Sequence, residues 1–499
     1  MAPSSNTAAR VPRAMSTQHP DNATPPPFAE AGVLKGEGEI AEAHHVYAAL
    51  GCDEQMWDYE GKGADVDVVL KLLLRDPDFF RRHVLGRDVF LTLRIPNPAV
   101  EPGMGKKLEE ALHTIVTSYD LASGFYGAPT APVFEVILPF TTAAEELLWV
   151  DAYFREVVVG AQDHVLPGGR RVRQWLGEHG PGAVGVIPLV EDWPRLVGVD
   201  ALVERYAGLL GRPLPHLRVF LARSDPALNY GLVSAALLAK VALQRLHRLE
   251  ERLGLPLYPI LGAGGAPFRG NLRPGRVARV LREYPGVRTF TVQSSFKFDH
   301  EAAAARAAVG ELLAHRRRPP APLDEARALE VAGRATRRYQ EQVTRLAGLV
   351  NAVAPHVPQR RDRRLHIGLF GYSRGVGEGP NGVRLPRAIA FCAALYSLGV
   401  PPELLGLDAL REEDWGFLRE AAPALEEDLA DALRYASDAT VARVLGPEGT
   451  ALLRRFQREA DAEHRGLAGL VWERVQQGAD PSRTRQLVAW AAQTRGFLG

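Results

Sequence analysis

Six short stretches of this chain place charged or hydrogen-bonding residues directly after apolar runs. Glu191 and Asp192 follow "VGVIPLV", and Arg223, Ser224 and Asp225 close "LRVFLARSD". Arg94 ends "DVFLTLR" ahead of a Pro-Asn-Pro turn, and Gln293 ends "VRTFTVQ" with Lys297 following. Two glycine-rich stretches carry arginine: "GAGGAPFRGN" with Arg269, and "GYSRGVGEGPNG" with Arg374, trailed by Arg384 and Arg387. Two carboxylates, Glu191 and Asp225, joined by waters and a substrate oxygen, form the oxygen-rich set that Mg²⁺ or Mn²⁺ accepts. The competing reading of each acid is a helix N-cap or a surface ion pair. Arginine grips phosphate and carboxylate through a planar fork, and glycine lets backbone N–H groups approach an anion. "GAGGAPFRG" is not a dinucleotide fingerprint, because Pro267 stands where the third glycine belongs, and neither loop carries the GK[ST] of a P-loop. Together these residues point to a small phosphorylated acid bound through a metal, and to phosphoryl or enolate chemistry. A further polar stretch, "MSTQHPDN", puts His19 close to the N-terminal end.

These residues need a frame that brings strand ends together. Seven near-continuous apolar runs, at 88–95, 133–139, 184–190, 217–223, 258–263, 287–293 and 365–372, read as strands buried on both faces. Helical patterns separate them. The clearest spans 229–254, with Gly254 as its stop. Strand–helix alternation predicts a parallel sheet, and the acids and arginines at the strands' C-terminal ends suit a TIM-type (β/α)8 barrel, whose site is built there. The eighth strand lies before residue 88 or after 386. "AHRRRPPAPLDEA" (314–326) reads as a connector between helices. From about 406 strand signals stop and helical ones continue. The expected layout is a flexible leader over 1–14, a catalytic α/β barrel with additional helices over 15–405, and a helical region over 406–499 packed on the barrel. The leader has no apolar segment of the secretory kind.

Composition narrows the field. The 499 residues include 60 basic and 59 acidic ones, a net charge of +1, which gives no footing for nucleic acid or an anionic membrane. No apolar run approaches the roughly 20 residues of a membrane span. The two cysteines, Cys52 and Cys392, form no CxxC, which excludes a zinc ribbon and favours a reduced, cytoplasmic setting. His44 and His45 sit in a helical pattern and read as structural.

The motifs "MSTQHPDN", "VIPLVED", "ARSDPALNYG", "PFRGN", "VQSSFKFDH" and "RLPRAI", in this order, resemble phosphoenolpyruvate carboxylase of the short, archaeal type from about residue 11 onward. The resemblance implies a β/α barrel, usually a homotetramer, that joins phosphoenolpyruvate to bicarbonate with Mg²⁺ or Mn²⁺. It implies metal-binding roles for Glu191 and Asp225 and a catalytic role for His19. Arg269 is similar to an arginine of the longer branch's glycine-rich loop, and Arg387 and Arg94 are candidate substrate arginines. The longer branch has a His and an Arg where this chain has Leu261 and Ala263, and a Lys where it has Leu228. Arg223, Lys297, Arg374 and Arg384 are the candidates to supply that charge, with Gln293 beside them as a substrate contact. Two other readings remain at this point: a metal-dependent barrel lyase or aldolase acting on pyruvate or phosphoenolpyruvate, and a non-catalytic barrel that binds phosphorylated metabolites.

Overall fold

Eight parallel strands close into a barrel in chain order. They are β1 (Ala14–Ser16), β2 (Glu54–Asp58), β3 (Phe90–Arg94), β4 (Glu135–Leu138), β5 (Gly185–Val190), β6 (Leu217–Ala222), β7 (Leu257–Gly262) and β8 (Thr289–Val292). The computed structural model describes residues 11–60, 63–362, 375–376, 383–456, 459–478 and 480–499. The expected TIM-type barrel is the observed one, and six of the seven expected runs are β3 to β8. The seventh, 365–372, lies outside the described residues, and the barrel closes without it. Both strands missing from the sequence reading precede residue 88. β1 completes the ring by pairing Met15 with Glu54 of β2 on one side and with Thr291 of β8 on the other. A three-residue strand is held by more than its own ladder: Asp53 accepts the backbone N–H groups of Arg13 and Ala14 at 2.9–3.1 Å.

The barrel interior is layered. At its N-terminal end Arg218 of β6, fully buried, donates to both oxygens of Glu54 at 2.7 Å, to Glu135 at 3.0 Å and to Thr289 at 3.2 Å, tying four strands across the axis. Above it lies an apolar layer with Met15, Met56, Ile187, Leu189, Phe220 and Ile260. Residues two further along several of these strands reach the C-terminal opening, as the period of a strand requires.

Outside, the strands' other faces pack on helices in one large apolar shell. The helix expected over 229–254 runs Leu232–Leu253, and Gly254 ends it with φ +62°. The 314–326 stretch does connect two helices, Ala302–Ala314 and Glu325–Val353. A second apolar shell joins Glu325–Val353 to the C-terminal helices Ala388–Ser397, Glu412–Ala421, Leu425–Leu433, Asp438–Arg455 and Ala462–Gln477. The expected helical tail is therefore packed on the barrel's own helices. Among the described residues no single helix is long and apolar enough to cross a membrane.

Candidate active site

β1 delivers the N-terminal motif to the mouth of the barrel. His19 stands three residues past its last strand residue, and the chain turns there as the Asp21 N–H closes on the His19 carbonyl at 3.1 Å. Asp21 does more than turn the chain. Its buried carboxylate accepts from the Ser295 N–H (2.7 Å) and hydroxyl (2.9 Å), the Gly265 N–H (3.3 Å) and Arg269 Nη1 (3.1 Å). Asp299 accepts the backbone N–H groups of Ala23 and Thr24 at 2.7 Å each. The polar end that sequence leaves loose is held at Asp21, Ala23 and Thr24.

The glycine-rich loop after β7 serves this arrangement. A Cβ on Gly264 would come 2.7 Å from Arg269 Cζ, and one on Gly265 would come 2.2 Å from Ser295 Oγ. The glycines thus make room for the Arg269 guanidinium and for Ser295. The anion approached by the Gly265 N–H is the protein's own Asp21. Arg269 is almost fully buried and divides its donors between Ser224 Oγ (3.0 Å), Asp21, the Gly499 carbonyl (2.6 Å) and Gln293 Oε1 (2.5 Å). Four parts of the chain meet on one side chain.

The acids come from adjacent, paired strands, as the spacing predicts. Glu191 follows β5 and Asp225 stands three residues past β6. The N-cap reading belongs to their neighbour: Asp192, not Glu191, caps the helix Trp193–Val197 by accepting the Arg195 N–H at 2.9 Å. Glu191 Oε2 instead accepts the N–H of Phe140 at 3.2 Å, and Phe140 holds φ +52°, a left-handed value unusual for so bulky a residue. Opposite lies Arg94, the last residue of β3, paired with Glu60 and 3.9 Å from Asp58. Burial works against its charge, but Glu60, Asp58, Glu191 and Asp225 together hold its pKa above the ordinary arginine value. Arg94 is therefore a permanent cation beside both acids.

All of this opens on one cavity of about 570 Å³ at the C-terminal ends of the strands. His19, Arg94, Glu191, Asp225, Arg269, Gln293 and Arg387 line it, over a floor that includes Met56, Leu189 and Phe220 from the apolar layer. Arg387 precedes the helix Ala388–Ser397, whose first turn is also in the wall. A cavity of this volume suits a small metabolite.

The sequence matches the phosphoenolpyruvate carboxylase family model over residues 11–499. The chain belongs to the phosphoenolpyruvate carboxylase family. Relatives of that name include those of Methanothermobacter thermautotrophicus, 48% identical with 98% of this chain and all of the relative covered, and Halobacterium salinarum, 47% identical over 98% and 99%. The Pyrococcus abyssi relative is 45% identical over 98% of this chain and all of its own. Among solved structures, malate synthase of Haloferax volcanii covers 87% of this chain and 97% of its own at 10% identity and a TM-score of 0.40, too low a likeness to build on.

In this phosphoenolpyruvate carboxylase fold the expected site residues separate into three groups. His19, Arg94, Arg223, Glu191, Asp225, Arg269, Gln293 and Arg387 all border the cavity. Arg223 does so with its guanidinium directed inward to Tyr284 Oη, the Phe268 carbonyl and the Leu232 carbonyl at 3.3–3.5 Å. Lys297 and Arg384 do not border it. Lys297 is buried behind β1, donating to Ser16 Oγ (3.1 Å), the Thr17 carbonyl (2.8 Å) and Glu42 (2.8 Å), so a substrate contact is displaced by a structural one. Arg384 lies exposed in a short two-stranded ribbon, Val383–Arg384 against Gly375–Val376. Arg374, and most of the "GYSRGVGEGPNG" stretch read as a lid or cradle, fall outside the described residues. His44 is bonded to Asp76 at 3.0 Å and His45 packs on Phe28 and Phe298, away from the cavity.

Sequence reading misses several wall residues. Glu60 follows β2, a strand too polar to announce itself. Arg360 and Arg361 belong to a basic run that gives no hint of its place; Arg361 is fully buried on Glu39 (2.7 Å) and Glu42 (2.6 Å). Leu498 arrives only through the tertiary fold of the tail.

Proposed function

We propose that this chain carboxylates phosphoenolpyruvate with bicarbonate, giving oxaloacetate and phosphate. The observation that carries the reading is the meeting of His19, two adjacent carboxylates and the arginines Arg94, Arg269 and Arg387 in one cavity. Arg94 and Arg387 supply fixed positive charge for the phosphate and carboxylate of the substrate, and Arg269 holds the His19 loop against the glycine-rich loop. A bicarbonate oxygen attacks phosphorus and the enol C–O–P link breaks, giving carboxyphosphate and the pyruvate enolate. His19 takes the carboxyphosphate proton as that species divides into carbon dioxide and phosphate. The enolate carbon then attacks carbon dioxide, and His19 returns the proton to phosphate. Carbon dioxide must be kept from escaping at this stage, and the apolar floor with Met56, Leu189 and Phe220 is the part of the cavity suited to hold it.

Glu191 and Asp225 fit a hard divalent cation. Both face the cavity, and among the described residues no third His, Cys, Asp or Glu converges with them, which leaves coordination positions for water and substrate oxygens. When bound there, Mg²⁺ or Mn²⁺ would supply Lewis-acid stabilisation of developing negative charge. The family resemblance supports a homotetramer in the cytoplasm; the barrel begins with β1 at Ala14, inside the stretch expected as a leader over 1–14, and a helical region over 406–499 follows it. The test is a malate-dehydrogenase-coupled assay with and without bicarbonate. Bicarbonate-dependent oxidation of NADH is expected. Product formation without bicarbonate would point to an aldolase, and binding without phosphate release to a non-catalytic barrel. His19→Asn should cut oxaloacetate formation to a trace readable only at high enzyme concentration while phosphoenolpyruvate binding stays within about 3-fold; lost binding with unchanged turnover at saturation would remove His19 from the chemistry.

A further inference from the structure

Thr17 is fully buried in the step between β1 and the His19 loop. Its backbone is fixed on both sides. The N–H donates to the Val292 carbonyl of β8 at 3.0 Å, and the carbonyl accepts from Lys297 Nζ at 2.8 Å. Lys297 is itself braced by Glu42, which also holds Arg361. The residue between Thr17 and His19 faces elsewhere: Gln18 Oε1 accepts the Asp58 N–H of β2 at 3.0 Å. Residues 17 and 19 therefore share a side, as alternate positions of an extended chain do. On that side Thr17 Oγ1 lies 2.9 Å from His19 Nδ1.

We propose that Thr17 is the positioning residue for His19, fixing its ring through Nδ1 so that Nε2 exchanges the proton with substrate. The proposal rests on the catalytic reading of His19 given above. The chemistry of the partner matters. A carboxylate at this distance would stabilise the imidazolium and hold the proton on the ring. A hydroxyl accepts from Nδ1–H in both the neutral and the charged ring, and its own rotation costs little. It therefore orients the ring without favouring either end of a transfer in which His19 must take a proton and give it back. The β-branched threonine, on a backbone clamped by Val292 and Lys297, limits the directions in which that hydroxyl can point. In this arrangement Lys297 serves the reaction from behind the loop.

The test is kinetic. Thr17→Val, near-isosteric but without the hydroxyl, should lower kcat about 10- to 100-fold while KM for phosphoenolpyruvate stays within about 3-fold, the scale seen when a ring's orienting partner is removed. Thr17→Ser should keep kcat within about 3-fold of the parent. Thr17→Ala repeats the loss should the valine variant fail to fold. In a His19→Asn background, read at high enzyme concentration, Thr17→Val should cost less than about 2-fold, because a residue that acts through His19 has nothing left to act on. Parental kcat in Thr17→Val, or an equal loss with and without His19, would overturn the proposal. Unchanged turnover in His19→Asn alone would instead overturn the reading of His19, and the role of Thr17 would fall with it.

Discussion

Asp21 and Arg269 show what a single residue does at this site. Neither side chain is left to solvent: the Asp21 carboxylate receives four donors and Arg269 gives to four acceptors, each including the other. Asn in place of Asp21 keeps one acceptor oxygen and turns an amide NH₂ toward groups that themselves donate. Asp21→Asn should therefore lower kcat at least 10-fold and cost about 1–3 kcal/mol in urea unfolding, the scale of buried polar groups left unmatched. A parental kcat would show that the His19 loop needs no such anchor. The two carboxylates proposed to hold the metal invite a different measurement. Asp225→Asn removes one of two anionic oxygen donors, so the Mg²⁺ concentration for half-maximal activity should rise at least 10-fold; an unchanged titration would take Asp225 out of the metal site. At this scale the residue types were legible and their surroundings were not. Glu191, Asp225 and His19 announce themselves by following strands or by motif. Lys297 carries the same signal, and only packing shows that its ammonium is already committed to Thr17, Ser16 and Glu42.

Among the elements, legibility followed the physics of strand burial. β3 to β8 are dominated by apolar and β-branched residues and read directly from sequence, although Glu135, Arg218 and Thr289 turn a polar side chain into the barrel from β4, β6 and β8. β2, "EQMWD", is buried at every position, yet it carries Glu54 into the barrel to meet Arg218, so its inward face is polar and its pattern breaks the rule. β1 has three residues, too few for any period to show. The Arg218 cluster that hid β2 is also where the barrel is most vulnerable. Arg218→Met should cost about 3–5 kcal/mol in unfolding, because Glu54 and Glu135 would remain buried without their cation. Replacing all three by apolar residues of similar volume should recover most of that loss. The C-terminal helices carry a pH dependence of their own. His464 is fully buried, with Arg495 Nη1 donating to its Nε2 at 2.9 Å, and burial, aided by the Arg495 charge, pushes its pKa down to about 2. Its folded pKa lies below the unfolded value near 6.5, so the unfolded chain takes up the proton first. Stability from this group is complete above 6.5 and is lost as pH falls below it, about 1.4 kcal/mol between pH 7.5 and 5.5. Other buried groups such as His300 add their own pH dependence, so the expected result is that the loss of urea-unfolding free energy between the two pH values is smaller in His464→Gln than in the parent by about that amount.

The molecule as a whole closes its site with both ends of the described chain. The N-terminal loop brings His19. The last helix, Pro481–Arg495, returns the tail to the same place. Phe497 packs among Tyr396, Tyr435 and the Arg495 guanidinium. Arg495 donates to the Leu498 carbonyl at 3.0 Å, the Leu498 N–H donates to the Asp21 carbonyl at 2.7 Å, and the Gly499 carbonyl takes Arg269 at 2.6 Å. A Cβ on Gly499 would fall 2.0 Å from the Ile389 carbonyl oxygen, in the helix that follows Arg387. Barrel and helical region thus meet at the cavity, which strand and helix patterns alone could not disclose because no local period marks a residue that arrives from 230 positions away. Ending the chain after Phe497 leaves the aromatic cluster and both apolar shells in place but strips one acceptor from Arg269 and one donor from the His19 loop. Turnover should fall at least 100-fold while the melting temperature drops by only a few degrees. Gly499→Ala, which keeps the chain length, should lose activity through the clash with Ile389. Parental turnover in the shortened chain would show instead that the barrel's own loops hold Arg269 and His19 in register, and that the tail only covers them.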